Sequence, residues 1–147
     1  MNALLQLACV VGLAGMGAGL TYWVKGPPAR TFVCDPATLK PDEICLEQIP
    51  PESGVLWIDA RSRADWQRDG MPGSLLWNLD PSENLQAFEA EAAMRILEAS
   101  QVIVYCGDEN CGVSRQVAGQ IERLGMGAQV RVLSGGWRAL REAGRIP

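Results

Sequence analysis

The chain has 147 residues, 48% of them apolar, enough for one domain with a hydrophobic core. Its 13 basic and 17 acidic side chains leave a net charge of -4 without a dense Lys/Arg cluster able to neutralise a run of phosphates, which argues against nucleic acid as a partner. Histidine is absent, removing the commonest general base, the Cys-His pair of thiol hydrolases and the Cys/His zinc patterns, so chemistry falls to Cys, Asp, Glu, Arg or Tyr.

No charged side chain occurs from Met1 to Val24, and "ALLQLACVVGLAGMGAGLTYWV" covers residues 3–24. As a helix this run would be about 33 Å long, enough to span a bilayer. Tyr22 and Trp23 lie where an interfacial aromatic belt belongs, and "KGPPAR" then brings charge and helix-stopping prolines. The expectation is an uncleaved single-pass anchor over residues 1–25, in a bacterial-type inner membrane. A cleaved signal segment is the alternative, although its basic leading region is missing. Lys25 and Arg30 would hold the following domain in the cytoplasm, whereas the spacing of Cys34 and Cys45 suits a disulfide in an oxidising compartment. The side stays open, with a lean to the periplasm. Gly15 and Gly19 form one small-xxx-small pair, through which two anchors could pack as a weak homodimer.

Residues 26–51 are rich in proline and mixed in charge and read as a linker, with one short helix at "KPDEICLEQI" begun by Pro41 and Asp42. Residues 52–147 form the domain. Three short runs rich in β-branched residues predict strands: "VLWI" at 55–58, "VIVY" at 102–105 and "VRVL" at 130–133. Between the first two, Leu85, Phe88, Ala92 and Ile96 repeat at helical spacing. Between the second and third, Val113, Val117, Ile121 and Leu124 do so, with Gly125 placed to end the helix. Strands alternating with helices imply parallel pairing and a site at the carboxyl ends of the strands.

Cys106 falls at such an end, immediately after a buried strand and before "GDENCG", which leads into a helix. A strand-to-helix loop presents backbone N–H groups and the positive end of a helix dipole, so an anion, here a thiolate, is its natural occupant. The residue types therefore suit a nucleophile.

The segments "VLWIDARSRADWQRDGMPGSLLWNL", "VIVYCGDENCGVSRQVAGQIERLG" and "VRVLSGGWRAL" resemble the rhodanese, or sulfurtransferase, domain family over roughly residues 52–143. The likeness rests on four motifs in order: Asp59-x-Arg61, the turn Pro72-Gly73, Cys106 after the central strand, and Gly135-Gly136-Trp137. It implies an α/β fold, a five-stranded parallel sheet with helices on both faces, here preceded by one N-terminal transmembrane helix. It also implies a sulfurtransferase whose Cys106 thiolate takes sulfane sulfur from a small-molecule donor as a persulfide and passes it to a thiol or other nucleophile, without metal or cofactor. Backbone amides of the loop Gly107, Asp108, Glu109, Asn110, Cys111 and Gly112 would hold the anionic persulfide. Asp59, Arg61 and Arg115 would play supporting parts.

This loop departs from the family pattern. Gly107 and Cys111 stand where many members carry arginine, and Asp108 and Glu109 oppose an anionic donor. Cys111 reads as a small turn residue, or as a resolving thiol that closes a disulfide on Cys106. A metal site built from Cys34, Cys45, Cys106 and Cys111 is disfavoured because no close Cys-x2-Cys knuckle exists. Asp59 and Arg61 also read as a charged pair tying down the neighbouring loop, and Trp137 as a packing residue. Two rival functions remain open: a thiol-disulfide redox protein using Cys106 and Cys111, and a non-catalytic binding module at the membrane.

Overall fold

A computed structural model describes residues 6–7, 10–13, 31–50, 54–107 and 112–146. The chain divides into residues 1–31 and 32–147, and the second unit holds the sheet. Residues 6–7 and 10–13 are helical; the rest of the expected span at 3–24, with Gly15 and Gly19, lies outside the described residues. Among the described residues no helix is long and apolar enough to cross a membrane.

Five strands, β1 (Glu43–Ile44), β2 (Val55–Asp59), β3 (Leu75–Leu76), β4 (Gln101–Tyr105) and β5 (Gln129–Leu133), form one sheet in the order β1-β5-β4-β2-β3. Every pairing is parallel. Four helices connect or close it: α1 (Arg63–Asp69), α2 (Leu85–Glu98), α3 (Gly112–Arg123) and α4 (Gly136–Glu142). The Ser62 hydroxyl caps α1 by accepting from Asp65 N–H, and the Asn84 side chain caps α2 by accepting from Ala87 N–H, each satisfying an otherwise orphan donor of a first turn. At the end of α3, Gly125 adopts φ 66°, a left-handed conformation that glycine accepts without a Cβ penalty.

β4 is the central strand, and Val102, Ile103, Val104 and Tyr105 have no exposed surface. A parallel strand covered on both faces reads as a continuous apolar run, which is why "VIVY" shows no alternation. Its side chains divide between two cores. Val102, Val104 and Cys106 pack with Ile58, Phe88, Ala92, Ile96, Val117 and Ile121, under α2 and α3. Ile103 and Tyr105 pack with Leu46, Ile49, Leu133, Leu140 and Ile146 on the other face, under α4.

Residues 40–49 correct the expected short helix. "KPDEICLEQI" forms no α-helix; Glu43–Ile44 extends as edge strand β1 opposite Val132 and Leu133, and Leu46–Gln48 make one 3-10 turn. Two forces outweigh the helix-start signal of Pro41 and Asp42. Pairing satisfies backbone groups, with Val132 N–H donating to Asp42 O at 2.8 Å and Ser134 N–H to Ile44 O at 3.0 Å. A disulfide joins Cys34 to Cys45, 11 residues apart with Cα atoms 5.7 Å from one another. β3, also two residues long, was not expected either; Trp77 N–H donates to Asp59 O at 2.9 Å and helps hold it against β2.

Candidate active site around Cys106

β4 delivers Cys106 to the carboxyl end of the sheet with 3% of its surface exposed. The Cys106 carbonyl accepts a hydrogen bond of 2.6 Å from Trp137 N–H, tying the residue to the first turn of α4. On the other side, the hydroxyl of Ser114, fully buried in the first turn of α3, donates toward the Cys106 sulfur at 3.6 Å. Cys106 is disulfide-bonded, and its partner lies outside the described residues. Gly107 forms an exposed bend and Gly112 opens α3, whereas Asp108, Glu109, Asn110 and Cys111 lie outside the described residues.

Beneath this end of the sheet runs a buried network. Asp59, with no exposed surface, accepts from Arg61 N–H at 2.9 Å and from Arg61 Nε at 3.1 Å on Oδ1, and from Arg61 Nη2 at 2.8 Å on Oδ2. The Tyr105 hydroxyl donates to Asp59 Oδ2 at 2.7 Å and accepts from Met71 N–H at 2.9 Å. Arg61 Nη1 reaches Asp69 Oδ1 at 2.8 Å, and the indole N–H of Trp137 donates to Asp69 O at 3.2 Å. The guanidinium carbon of Arg61 lies 5.8 Å from the Tyr105 ring centre and 5.4 Å from that of Trp137, within cation-π range of both. The Asp-x-Arg motif, the residue before the cysteine and the Gly-Gly-Trp motif are thus one hydrogen-bonded unit.

Its electrostatics are those of a compensated buried charge cluster. Burial opposes the Arg61 charge, but the hydrogen bonds to Asp59 and Asp69 and the Asp59 charge outweigh it, so its pKa is raised. For Asp69 burial pulls upward, and the hydrogen bonds from Arg61 and Arg68 prevail and lower it. Burial, with the Asp59 charge second, pushes the Tyr105 phenol up to about 12. The hydroxyl therefore stays protonated and donates to Asp59 at any physiological pH.

Arg115 is placed elsewhere than at an anion. Its Nη2 hydrogen-bonds the Glu43 carboxylate and its Nε lies 3.3 Å from Asp42 Oδ2, both carboxylates belonging to β1 and the residue before it. Gly135 at φ 76° begins α4, a left-handed conformation that favours glycine, and its open Cβ position is filled by the ring of Phe32. Among the described residues no group of three His, Cys, Asp or Glu side chains is arranged to hold a metal.

Sequence reasoning missed Ser114, Tyr105 and Asp69. Ser114 carried a signal, a hydroxyl at the start of the helix that follows the cysteine loop. Tyr105 and Asp69 carried none, because their partners are brought to them only by the tertiary fold.

A model of the rhodanese-like domain matches residues 45–143. The chain belongs to the rhodanese-like domain family. Comparison with curated proteins finds no match. Among solved structures, the rhodanese-like domain is similar to the N-terminal domain of a Clostridium difficile 630 protein named for ATP/GTP binding. That likeness has 17% identity and a TM-score of 0.53, covering 69% of this chain and 98% of the other. It is also similar to the BH2092 protein of Bacillus halodurans, with 20% identity and a TM-score of 0.50, covering 63% of this chain and 62% of that one. At these identities the likenesses speak to the fold. The five-stranded parallel sheet with helices on both faces is that of a rhodanese-like domain, and its matched region begins at Cys45, one residue after β1.

Proposed function

We propose that the domain is a sulfurtransferase that carries sulfane sulfur on Cys106. The thiolate attacks the outer sulfur of a donor, the donor's S–S bond breaks, and the sulfur remains as Cys-S-SH until an acceptor thiol removes it. The observation that carries this reading is the setting of the Cys106 sulfur, at the end of the central strand with the Ser114 hydroxyl directed at it from the first turn of α3. Once the Cys106 disulfide is reduced, a hydroxyl donor and the positive end of a 12-residue helix both favour negative charge on that sulfur. Asp59, Arg61, Tyr105 and Trp137 act as positioning residues that fix the backbone at Cys106. The loop amides from Gly107 to Gly112 are the expected cradle for the persulfide.

A second reading is favoured by one observation, that Cys106 is itself disulfide-bonded. In it Cys106 cycles between dithiol and disulfide, with Cys111 as the resolving partner. Intact mass of the reduced chain after exposure to sulfane donors separates the two. One added sulfur that disappears in Cys106→Ser and survives in Cys111→Ser supports the transferase. An absence of adduct with every donor, together with a disulfide that re-forms only when both cysteines are present, supports the redox protein.

The same proposal places the domain in an oxidising compartment, held by the apolar segment 3–24 in the membrane. The Cys34–Cys45 disulfide is what supports the compartment, since such bonds persist where thiols are not kept reduced. A membrane-impermeant thiol reagent applied to intact cells, after mild reduction at the surface, is expected to label the chain; complete protection would contradict this placement.

A further inference from the structure

Arg115 directly follows Ser114, the residue whose hydroxyl meets the Cys106 sulfur. A cation in this first turn of α3 is where an anionic sulfur donor would find a partner. The fold closes it off instead. Glu43 takes the Arg115 Nη2, Asp42 approaches Nε at 3.3 Å, and that Nε is buried without a directed hydrogen bond. The register places Glu43 opposite Val132 and Val132 opposite Val104, two residues before Cys106. The acidic residues therefore lie two strands from the cysteine's own strand, a lateral distance of about 10 Å. β1 is held there by its pairing with β5 and by the Cys34–Cys45 bond at its end. One guanidinium against two carboxylates leaves this group with a net negative charge.

We propose that β1 is an acidic latch that withholds Arg115 from the sulfur site, so that the donor is a sulfane compound carrying at most one negative charge, of the alkyl hydrodisulfide class R–S–SH, rather than a dianion such as thiosulfate. The inference rests on the persulfide reading of Cys106. With a hydrodisulfide, the Cys106 thiolate bonds to the outer sulfur, the donor S–S bond breaks, RS⁻ leaves and the proton remains on Cys-S-SH. With thiosulfate the same bond change expels sulfite, but the dianion must first approach against the negative charge of the latch.

The test uses the full chain, reduced mildly to free Cys106 and checked by alkylation and intact mass for retention of the Cys34–Cys45 bond. Persulfide formation is timed with thiosulfate and with an alkyl hydrodisulfide at mildly acidic pH. Wild type is expected to prefer the hydrodisulfide. Two strand spacings and two residues along the strand set the Glu43 charge about 12 Å from Cys106. Removing it is worth about threefold for a dianion at the dielectric of water and about tenfold at half that value. Glu43→Gln is therefore expected to raise the thiosulfate rate by about three- to tenfold while the hydrodisulfide rate stays within about twofold. Adding Arg115→Gln to Glu43→Gln is expected to return the thiosulfate rate to the wild-type value. Asp42→Asn, at a side chain that is 43% exposed, is expected to move the donor ratio in the same direction by less. Equal changes for both donors, or no change with either single variant, would overturn the latch and leave the persulfide reading standing. If wild type gains no sulfur with thiosulfate and none with the hydrodisulfide, both are overturned.

Discussion

Replacing Tyr105 by Phe removes one oxygen from the buried network while keeping the ring against Trp57, which it meets edge-on at 6.3 Å. The lost hydroxyl donates to the Asp59 carboxylate at 2.7 Å and accepts from Met71 N–H at 2.9 Å. A hydrogen bond to a charged group contributes about 1.5 to 3 kcal/mol, and the loss of a second partner at Met71 brings the cost to about 3 kcal/mol. For a folded unit of this size one kcal/mol corresponds to about 4 °C, so Tm is expected to fall by about 12 °C. The pH profile gives a second reading of the same group. Its phenol stands near 12 in the folded chain, above the 10.0 of an unperturbed tyrosine, so the folded state holds the proton more tightly than the unfolded state. That contribution is fully present below about pH 10 and is lost as pH rises through 12, a change of about 3 kcal/mol. Urea unfolding across this alkaline window should show the wild type losing the stability and Tyr105→Phe lacking that loss. A Tm change of less than about 3 °C, or identical alkaline profiles, would refute the role given to the hydroxyl.

Arg61→Lys keeps the charge but abandons the fork that holds both Asp59 and Asp69, leaving Asp59 with only the Tyr105 hydroxyl and the backbone N–H of residue 61 and taking the guanidinium from Asp69 Oδ1. Thermal unfolding is expected to show a loss of about 3 kcal/mol, as for other broken buried pairs. Ser114→Ala removes the hydroxyl donor at the Cys106 sulfur; persulfide formation is expected to slow by roughly tenfold, the equivalent of one charge-assisted hydrogen bond, with the donor preference unchanged. Exchanging Cys34 and Cys45 together for Ser opens a loop of 11 residues, and denaturant titration is expected to show a loss of about 2 to 3 kcal/mol.

The parts of the fold legible in the sequence are those whose signal is local. The strands around 55–58, 102–105 and 130–133 announced themselves as β-branched runs, and α2 and α3 as apolar repeats of helical period, because burial of each depends on the spacing of its own side chains. β1 and β3 were not legible. At two residues each they carry no period, and they exist because β5 and β2 offer them backbone partners. The helix signal at Pro41 and Asp42 was overridden there by pairing and by the Cys34–Cys45 bond. The site divides in the same way. Cys106 was legible from its place after a buried run, and Asp59 and Arg61 from their motif. The bond from Tyr105 to Asp59 spans 46 positions, and the pairing of Arg115 with Glu43 spans 72, so no spacing rule reaches either. Glu43 reaches α3 only because β1 pairs with β5.

The central claim is that Cys106 carries sulfur from donor to acceptor. A single-turnover chase tests it most directly: load the reduced full chain with isotopically labelled sulfane sulfur, remove the donor, add an acceptor thiol, and follow the label on the peptide containing Cys106. The expected result is one labelled sulfur on Cys106, lost at the rate at which label appears on the acceptor. Label that never reaches Cys106, or that stays there while the acceptor remains unlabelled, would contradict it.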